Sequence, residues 1–302
     1  MVAALKLALT GATGFVGTHL LDLALGQGHA VRALTRRPQA PRDGVIWVEG
    51  ALEDPAALAS LVEGTDAITH VAGVINADAA GFEAGNVTGT AAMLAAATRA
   101  GAKRFVHVSS LAAREPSLSL YGASKMRSEA LVGASSLSTA IVRPPAVYGP
   151  GDRETLELFK MAKRGLIVLP PPGKLSLIHV DDLARLLLAL AASDDTWLIE
   201  PDDGRPGGWT HEQFGQALGR AVGRKVRTLS APRFVLTLGA RADRLLRGRN
   251  AKLTHDRAAY FAHPDWTASP DHTAPSALWS PRIATTSGLT DTARWYRDAG
   301  WL

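Results

Sequence analysis

The 302-residue chain contains no cysteine. That absence excludes a disulfide framework, a thiolate metal site and a cysteine nucleophile, and it fits a reducing compartment. Aromatic residues are sparse, at 6%, and no apolar run reaches the roughly 20 residues that cross a bilayer. The opening MVAALKLALTG is interrupted by Lys6 and Gly11 and carries neither a basic leader nor a small-residue cleavage pattern. A cytoplasmic protein with no membrane partner and no metal is expected. The 33 basic residues exceed the 28 acidic ones, giving a net charge of +5, but the arginines are scattered. The densest group, RADRLLRGR from Arg241 to Arg249, reads as a solvated basic helix and lacks the interleaved aromatics of a nucleic-acid stripe. No nucleic-acid partner is expected.

What the chain does have is a repeating order of short apolar runs and longer alanine-rich segments. Strand candidates are LKLALT, AVRALT, VIWVEG, AITHVAG, RFVHVSS and STAIVRP. Between them lie FVGTHLLDLALGQG, DPAALASLVEG, NVTGTAAMLAAATRAG and YGASKMRSEALVG, of helical period. Strands that are apolar on both faces and joined by crossover helices imply an α/β fold with a doubly wound parallel sheet. Such a sheet binds ligands at the carboxyl ends of its strands, where strand order reverses.

The first of those ends is the turn LTGATGFVG. Gly11 allows a tight bend, Gly14 lets a diphosphate approach the backbone, and Gly17 lets the following helix lie close to the sheet. The helix N-terminus then offers free N–H groups to an anion. Thr13, Phe15 and Val16 share the turn and are counted with the glycines as cofactor-binding. At the end of the second strand, where a carboxylate would hold a ribose 2′-hydroxyl, the sequence has Thr35, Arg36 and Arg37. A guanidinium at Arg36 suits a 2′-phosphate, so NADP is expected, with NAD possible. Ala72 and Gly73, small residues after the fourth strand, are placed along the cofactor.

Further on, VSSLAAREPSLSLYGASK joins serines at a strand end to Tyr121 and Lys125, one helical turn apart. A phenol exchanges a proton with a substrate oxygen more readily when a neighbouring ammonium lowers its pKa, and Lys125 is expected to do this for Tyr121. A serine hydroxyl, Ser110 in preference to Ser109, would hold the same oxygen.

The pieces TGATGFVG, ITHVAG, NVTGTAAMLAAA, RFVHVSS, YGASK, IVRPPAVYGPGD and LIHVDDLA, from about residue 5 to 190, resemble the short-chain dehydrogenase/reductase superfamily, in its extended, epimerase/dehydratase-like branch. The resemblance implies a Rossmann-like sheet, a smaller C-terminal substrate lobe, and NAD(P) working with a Ser-Tyr-Lys set. Tyr121 would be the acid/base, Lys125 its partner, and Pro144 to Val147 the segment beside the nicotinamide. It also implies pairing of two chains through the fourth and fifth crossover helices. Two positions depart from the sugar-nucleotide members: Leu111 stands where a catalytic Ser or Thr is usual, and Ala51 where an Asp contacts adenine. The segment from Ser110 to Tyr121 is also shorter.

The sequence therefore predicts an NADP-dependent oxidoreductase moving hydride between nicotinamide and a C–OH/C=O substrate. The alternatives are a sugar-nucleotide epimerase or dehydratase, and a non-catalytic NADP sensor. The dinucleotide domain is assigned to residues 1–150 plus about 174–200, and the substrate lobe to about 151–173 plus 201–302. Asn86 reads either as a supporting active-site residue or as an N-cap, and His70 as a hydrogen-bonded core histidine. Asp181 and Asp182 read as N-cap and first-turn acids. In the lobe, THEQFGQALGRAVG reads as a capped helix, PRFVLTLGARADRLL as an apolar helix and TARWYRDAGWL as an amphipathic one. An irregular stretch from His263 to Pro281 contains two tryptophans.

Overall fold

The computed structural model describes residues 4–232 and 255–302, with scattered positions between 234 and 248. Seven parallel strands form the main sheet: β1 Lys6–Thr10, β2 Ala30–Thr35, β3 Val45–Glu49, β4 Ala67–His70, β5 Arg104–Val108, β6 Ser138–Val142 and, after four further short strands, Trp197–Ile199. Their spatial order is β3-β2-β1-β4-β5-β6 and then Trp197–Ile199, so the order reverses between β1 and β4. This is the doubly wound, Rossmann-like arrangement the periodicity implied.

Alternation along each strand feeds two helical layers. Leu7 and Leu9 of β1 and Val106 and Val108 of β5 face one core with Leu20, Leu21 and Ala24 of α1 (Phe15–Gly26). The same core takes Leu183, Leu186, Leu187 and Leu190 from the helix Val180–Ala191. Ala8, Ile68 and Phe105 face the other core, with Leu58 and Leu61 of α2 (Pro55–Val62), Met93 of the helix Gly89–Arg99 and Val132 of the helix Leu120–Gly133. α2 starts where it does because Asp54 accepts from the N–H groups of Ala56 and Ala57 and Pro55 has no N–H to satisfy.

A third core gathers Tyr148, Phe159, Leu177, Trp209, Phe214, Leu218, Leu289 and Tyr296. Its helix His211–Ala221 opens with the capping box Thr210/Gln213, as the THEQ pattern predicts. The strand Leu177–His179 does not join the main sheet; it pairs with Ala146–Tyr148 in a separate two-stranded sheet. Nor do Asp181 and Asp182 cap the helix that follows. His179 is the N-cap, its ring accepting from the Asp181 N–H at 3.2 Å. Asp182 instead accepts from the N–H groups of Arg282 and Ile283, both at 3.0 Å, while the Trp279 indole donates to the Asp182 carbonyl at 2.9 Å. The C-terminal stretch is thereby stitched to the first core, where Trp279 is buried. The apolar helix expected over 232–246 and the basic cluster from Arg241 lie largely outside the described residues.

Candidate active site

The glycine turn has the shape its spacing requires. Gly11 sits at φ +73°, and a Cβ there would come within 2.8 Å of the Ala72 nitrogen. A Cβ on Gly17 would lie 2.0 Å from the Gly11 carbonyl oxygen, so only glycine lets α1 approach the turn this closely. Gly14 is the N-cap of α1, with no side chain on the cap and no acid in the first turn. The leading N–H groups of Phe15 and Val16 are therefore open to an anion. Thr13 and Gly14 are exposed on the turn, and Val16 packs its side chain on the core. Phe15 stands edge-on to His19 at 5.7 Å. These features fit a dinucleotide diphosphate.

Ala72 and Gly73 leave β4 directly beside Gly11. A Cβ on Gly73 would press within 3.1 Å of both the Lys125 Nζ and the Asn86 Oδ1, so the backbone here runs against the polar groups of the site. Arg36 is exposed at the carboxyl end of β2, with no carboxylate in the β2 strand. Pro144 and Val147 flank the exit of β6, where the Pro144 carbonyl accepts from the Leu111 N–H at 3.1 Å.

Ser110, Tyr121 and Lys125 converge below this backbone. Ser110 lies two residues past β5 and caps the short 3-10 helix Leu111–Arg114, accepting from the Ala112 N–H at 3.2 Å. A hydrogen bond from Ser110 favours the Tyr121 phenolate, but burial outweighs it and the phenol is raised above its ordinary value. The expectation that Lys125 depresses this phenol is not met. The ammonium instead donates to the Val108 carbonyl at 2.9 Å. Burial pulls Lys125 down to about 8, against an upward pull from Glu129. Beneath it, His70 bonds to Thr10 at 2.8 Å and Thr90 at 3.1 Å, and burial with the Lys125 charge lowers it to about 3. It is a neutral core histidine.

The Ser109 hydroxyl donates to the Glu129 Oε1 at 2.5 Å. Ser109 is committed to that bond and Ser110 is left to the phenol. Leu111 is buried and apolar.

Of the partners around the site, Asn86 carried two readings in the sequence and the others carried none. Asn86 is no N-cap: it lies in a π-helical segment, Glu83–Thr88, inside a continuous helical stretch, and is buried. Its amide accepts from the Val74 N–H at 2.7 Å and donates to the Val74 carbonyl at 3.0 Å and the Ser124 hydroxyl at 2.8 Å, holding the strand exit at Gly73. Arg143 bonds Glu129 through Nε at 2.9 Å and Nη2 at 2.6 Å, and Glu200 through Nη1 at 3.2 Å. Arg114 reaches Glu200 at 3.1 Å and the Thr267 carbonyl at 2.9 Å. An Arg and a Glu at the carboxyl ends of apolar strands were the available signal. On the outer side, Asp256 accepts from the Leu120 N–H at 2.6 Å, which brings the helix His255–Phe261 over Tyr121. Tyr260 of that helix is raised by burial and by the Tyr121 phenol.

Comparison with known proteins agrees with this geometry. The profile of the NAD dependent epimerase/dehydratase family matches residues 7–198. This chain belongs to that family. A ceramide reductase of Caulobacter vibrioides (strain NA1000 / CB15N) is 42% identical over 306 residues, covering 98% of this chain and 95% of that protein. A 3 beta-hydroxysteroid dehydrogenase/Delta 5-->4-isomerase of Mycobacterium tuberculosis (strain ATCC 25618 / H37Rv) is 29% identical over 237 residues, 67% of this chain and 63% of its own length. Among solved structures, MoeE5 in complex with UDP-glucose and NAD superposes with a TM-score of 0.76 at 22% identity, covering 97% of this chain and 99% of that one. UDP-N-acetylglucosamine 4-epimerase from Bacillus cereus gives 0.71 at 17%, covering 97% of each. These structures share the fold. As a family member, the chain is an extended short-chain oxidoreductase of the NAD(P)-dependent type.

Proposed function

We propose that the protein is an NADPH-dependent reductase of a ketone carried by a long-chain, ceramide-like lipid. The observation that carries this reading is the end-to-end likeness to a ceramide reductase, which includes the lobe from residue 201 onward that shapes a substrate pocket. Apolar side chains at the site agree with it: Ile75, after β4, and Leu120, next to Tyr121, are 53% and 48% exposed.

Bound NADPH would supply the hydride to the carbonyl carbon. The glycine turn and the N–H groups of Phe15 and Val16 hold the diphosphate, and Arg36 pairs with the 2′-phosphate. Ser110 donates a hydrogen bond to the carbonyl oxygen. Tyr121 transfers its phenolic proton to that oxygen as the C–H bond forms, and a solvent proton restores it, so ketone, NADPH and one proton give alcohol and NADP+. A phenol kept protonated by burial suits a group that must begin as the acid. Lys125 places its ammonium beside Gly73, within reach of a ribose hydroxyl of the bound cofactor.

The test is NADPH oxidation with a long-chain 3-keto ceramide and, in parallel, epimerisation of UDP-glucose. Turnover of the ketolipid, falling about 10²- to 10⁴-fold in Tyr121→Phe while NADPH still shifts the melting temperature, is the expected result. Epimerisation of the nucleotide sugar with no ketolipid turnover would overturn the reading.

A further inference from the structure

One histidine touches three elements around the cofactor turn. His19 lies on α1, one helical turn past Phe15, whose ring stands edge-on to it at 5.7 Å. Its Nδ1 meets the Asp181 Oδ1 at 2.6 Å, on the helix Val180–Ala191, and its Nε2 meets the Pro150 carbonyl oxygen at 2.9 Å. Pro150 belongs to the loop 149–151, which leaves the strand Ala146–Tyr148 and passes the Phe15 ring: a Cβ added to Gly151 would lie 3.9 Å from the Phe15 Cδ2. α1 begins at the diphosphate turn, and the loop follows the segment expected beside the nicotinamide. A single imidazole joins the two.

The partners fix its protonation. A carbonyl oxygen and an ionised carboxylate both accept and neither donates, whereas a neutral imidazole has only one N–H. Both bonds are made together only by the imidazolium. The charges around the ring agree. Burial opposes the charge on His19, but the bonds to Asp181 and Pro150 outweigh it, with help from Asp22 on α1, and hold the ring above its ordinary value. The His19 bond in turn keeps Asp181 below the usual carboxylate range, with His179 and Arg185 also favouring that anion. His179, the N-cap beside Asp181, is itself pulled toward neutrality by burial. The loop 149–151 adds no titratable side chain.

We propose that His19 is a positioning residue for the dinucleotide: as an imidazolium it ties the loop 149–151 and the helix Val180–Ala191 to α1, and so holds the diphosphate end and the nicotinamide end of the cleft in one register. The clamp is independent of the ketolipid reading, because any substrate of this site needs the same cofactor geometry. Folding raises the affinity of His19 for its proton, so the clamp is complete below about 6.5 and is lost as pH rises through the raised value. Asp181 is half-exposed, and screening keeps the effect modest. NADPH binding should weaken about three- to tenfold on the alkaline side.

The test is the NADPH dissociation constant of the full-length protein, followed by tryptophan fluorescence across the neutral and mildly alkaline range, in wild type, His19→Leu and Asp181→Asn. His19→Leu should bind about three- to tenfold more weakly than wild type on the acid side of neutrality, with the ratio narrowing toward one at alkaline pH. Asp181→Asn keeps an acceptor and removes the charge, so its loss of affinity should begin roughly one pH unit lower than in wild type. The titration of Lys125 is common to all three proteins and cancels in the ratios. Nitrogen-15 spectra of histidine-labelled protein should show one ring titrating above 6.5 in wild type and lower in Asp181→Asn. A wild-type to His19→Leu ratio that does not change with pH overturns the proposal, as does a His19 midpoint at or below the ordinary imidazole value. Should His19→Leu not fold, Asp181→Asn decides alone: an alkaline loss unshifted from wild type overturns it.

Discussion

Burial moves the Tyr121 phenol up and the Lys125 ammonium down to about 8, each toward its neutral form, because a low-dielectric site penalises charge of either sign. For Lys125 the sign of the pH effect follows directly. Its charge is present below about 8 and lost above it, so kcat/KM for the cofactor, which reports the free enzyme, should fall as pH rises through about 8, and Lys125→Met should flatten that limb. Arg36 governs a separate quantity. Arg36→Ala is expected to raise KM for NADPH about tenfold, roughly 1.4 kcal/mol of charge-assisted bonding, and leave NADH nearly unchanged; steady-state kinetics with both cofactors checks it. The glycines, Tyr121 and Lys125 were legible because their spacing along one turn or one helix is itself the constraint. The hydrogen bond that occupies Ser109 was not, since it comes from a carboxylate twenty positions away, on another element.

At the scale of elements, the contact between β1 and α1 depends on one missing atom. Gly17→Ala would set a methyl 2.0 Å from the Gly11 carbonyl oxygen, so helix and turn must part. The expected cost is at least ~2 kcal/mol by urea unfolding, together with loss of the NADP-induced rise in melting temperature. The six strands from β1 to β6 and their crossover helices could be read from apolar runs alone, because a buried parallel strand shows its pattern locally. The π-helical segment around Asn86 could not, since an extra residue per turn leaves the composition unchanged and shows only in what the side chain reaches. His179 displaced Asp181 as cap for a similar reason. An imidazole nitrogen can accept the same N–H, and backbone geometry decides which side chain does.

Across the whole molecule, the ion pairs from Glu129 through Arg143 and Glu200 to Arg114 join strand ends beneath the site to the backbone at Thr267. Glu200 also accepts from the Ser269 N–H at 2.8 Å. Arg143→Met would leave two carboxylates buried with part of their compensation gone, and should cost about 3–5 kcal/mol in stability. Replacing Glu129, Arg143 and Glu200 together by apolar residues should cost much less than Arg143→Met alone, a comparison denaturant titration can make. Partners separated by 57 and 153 residues leave no trace in periodicity, which is why the network was invisible in the sequence while the sheet was plain.

The stitch between Asp182 and the backbone at Arg282 and Ile283 bears on how the chain is made. Translation delivers every strand of the parallel sheet long before Trp279 leaves the ribosome, and until then the helix from Val180 has no indole to cover it. A nascent chain stalled before Trp279 should hold an open seam on that face, which the stretch from Trp279 to Ile283 closes once it is made.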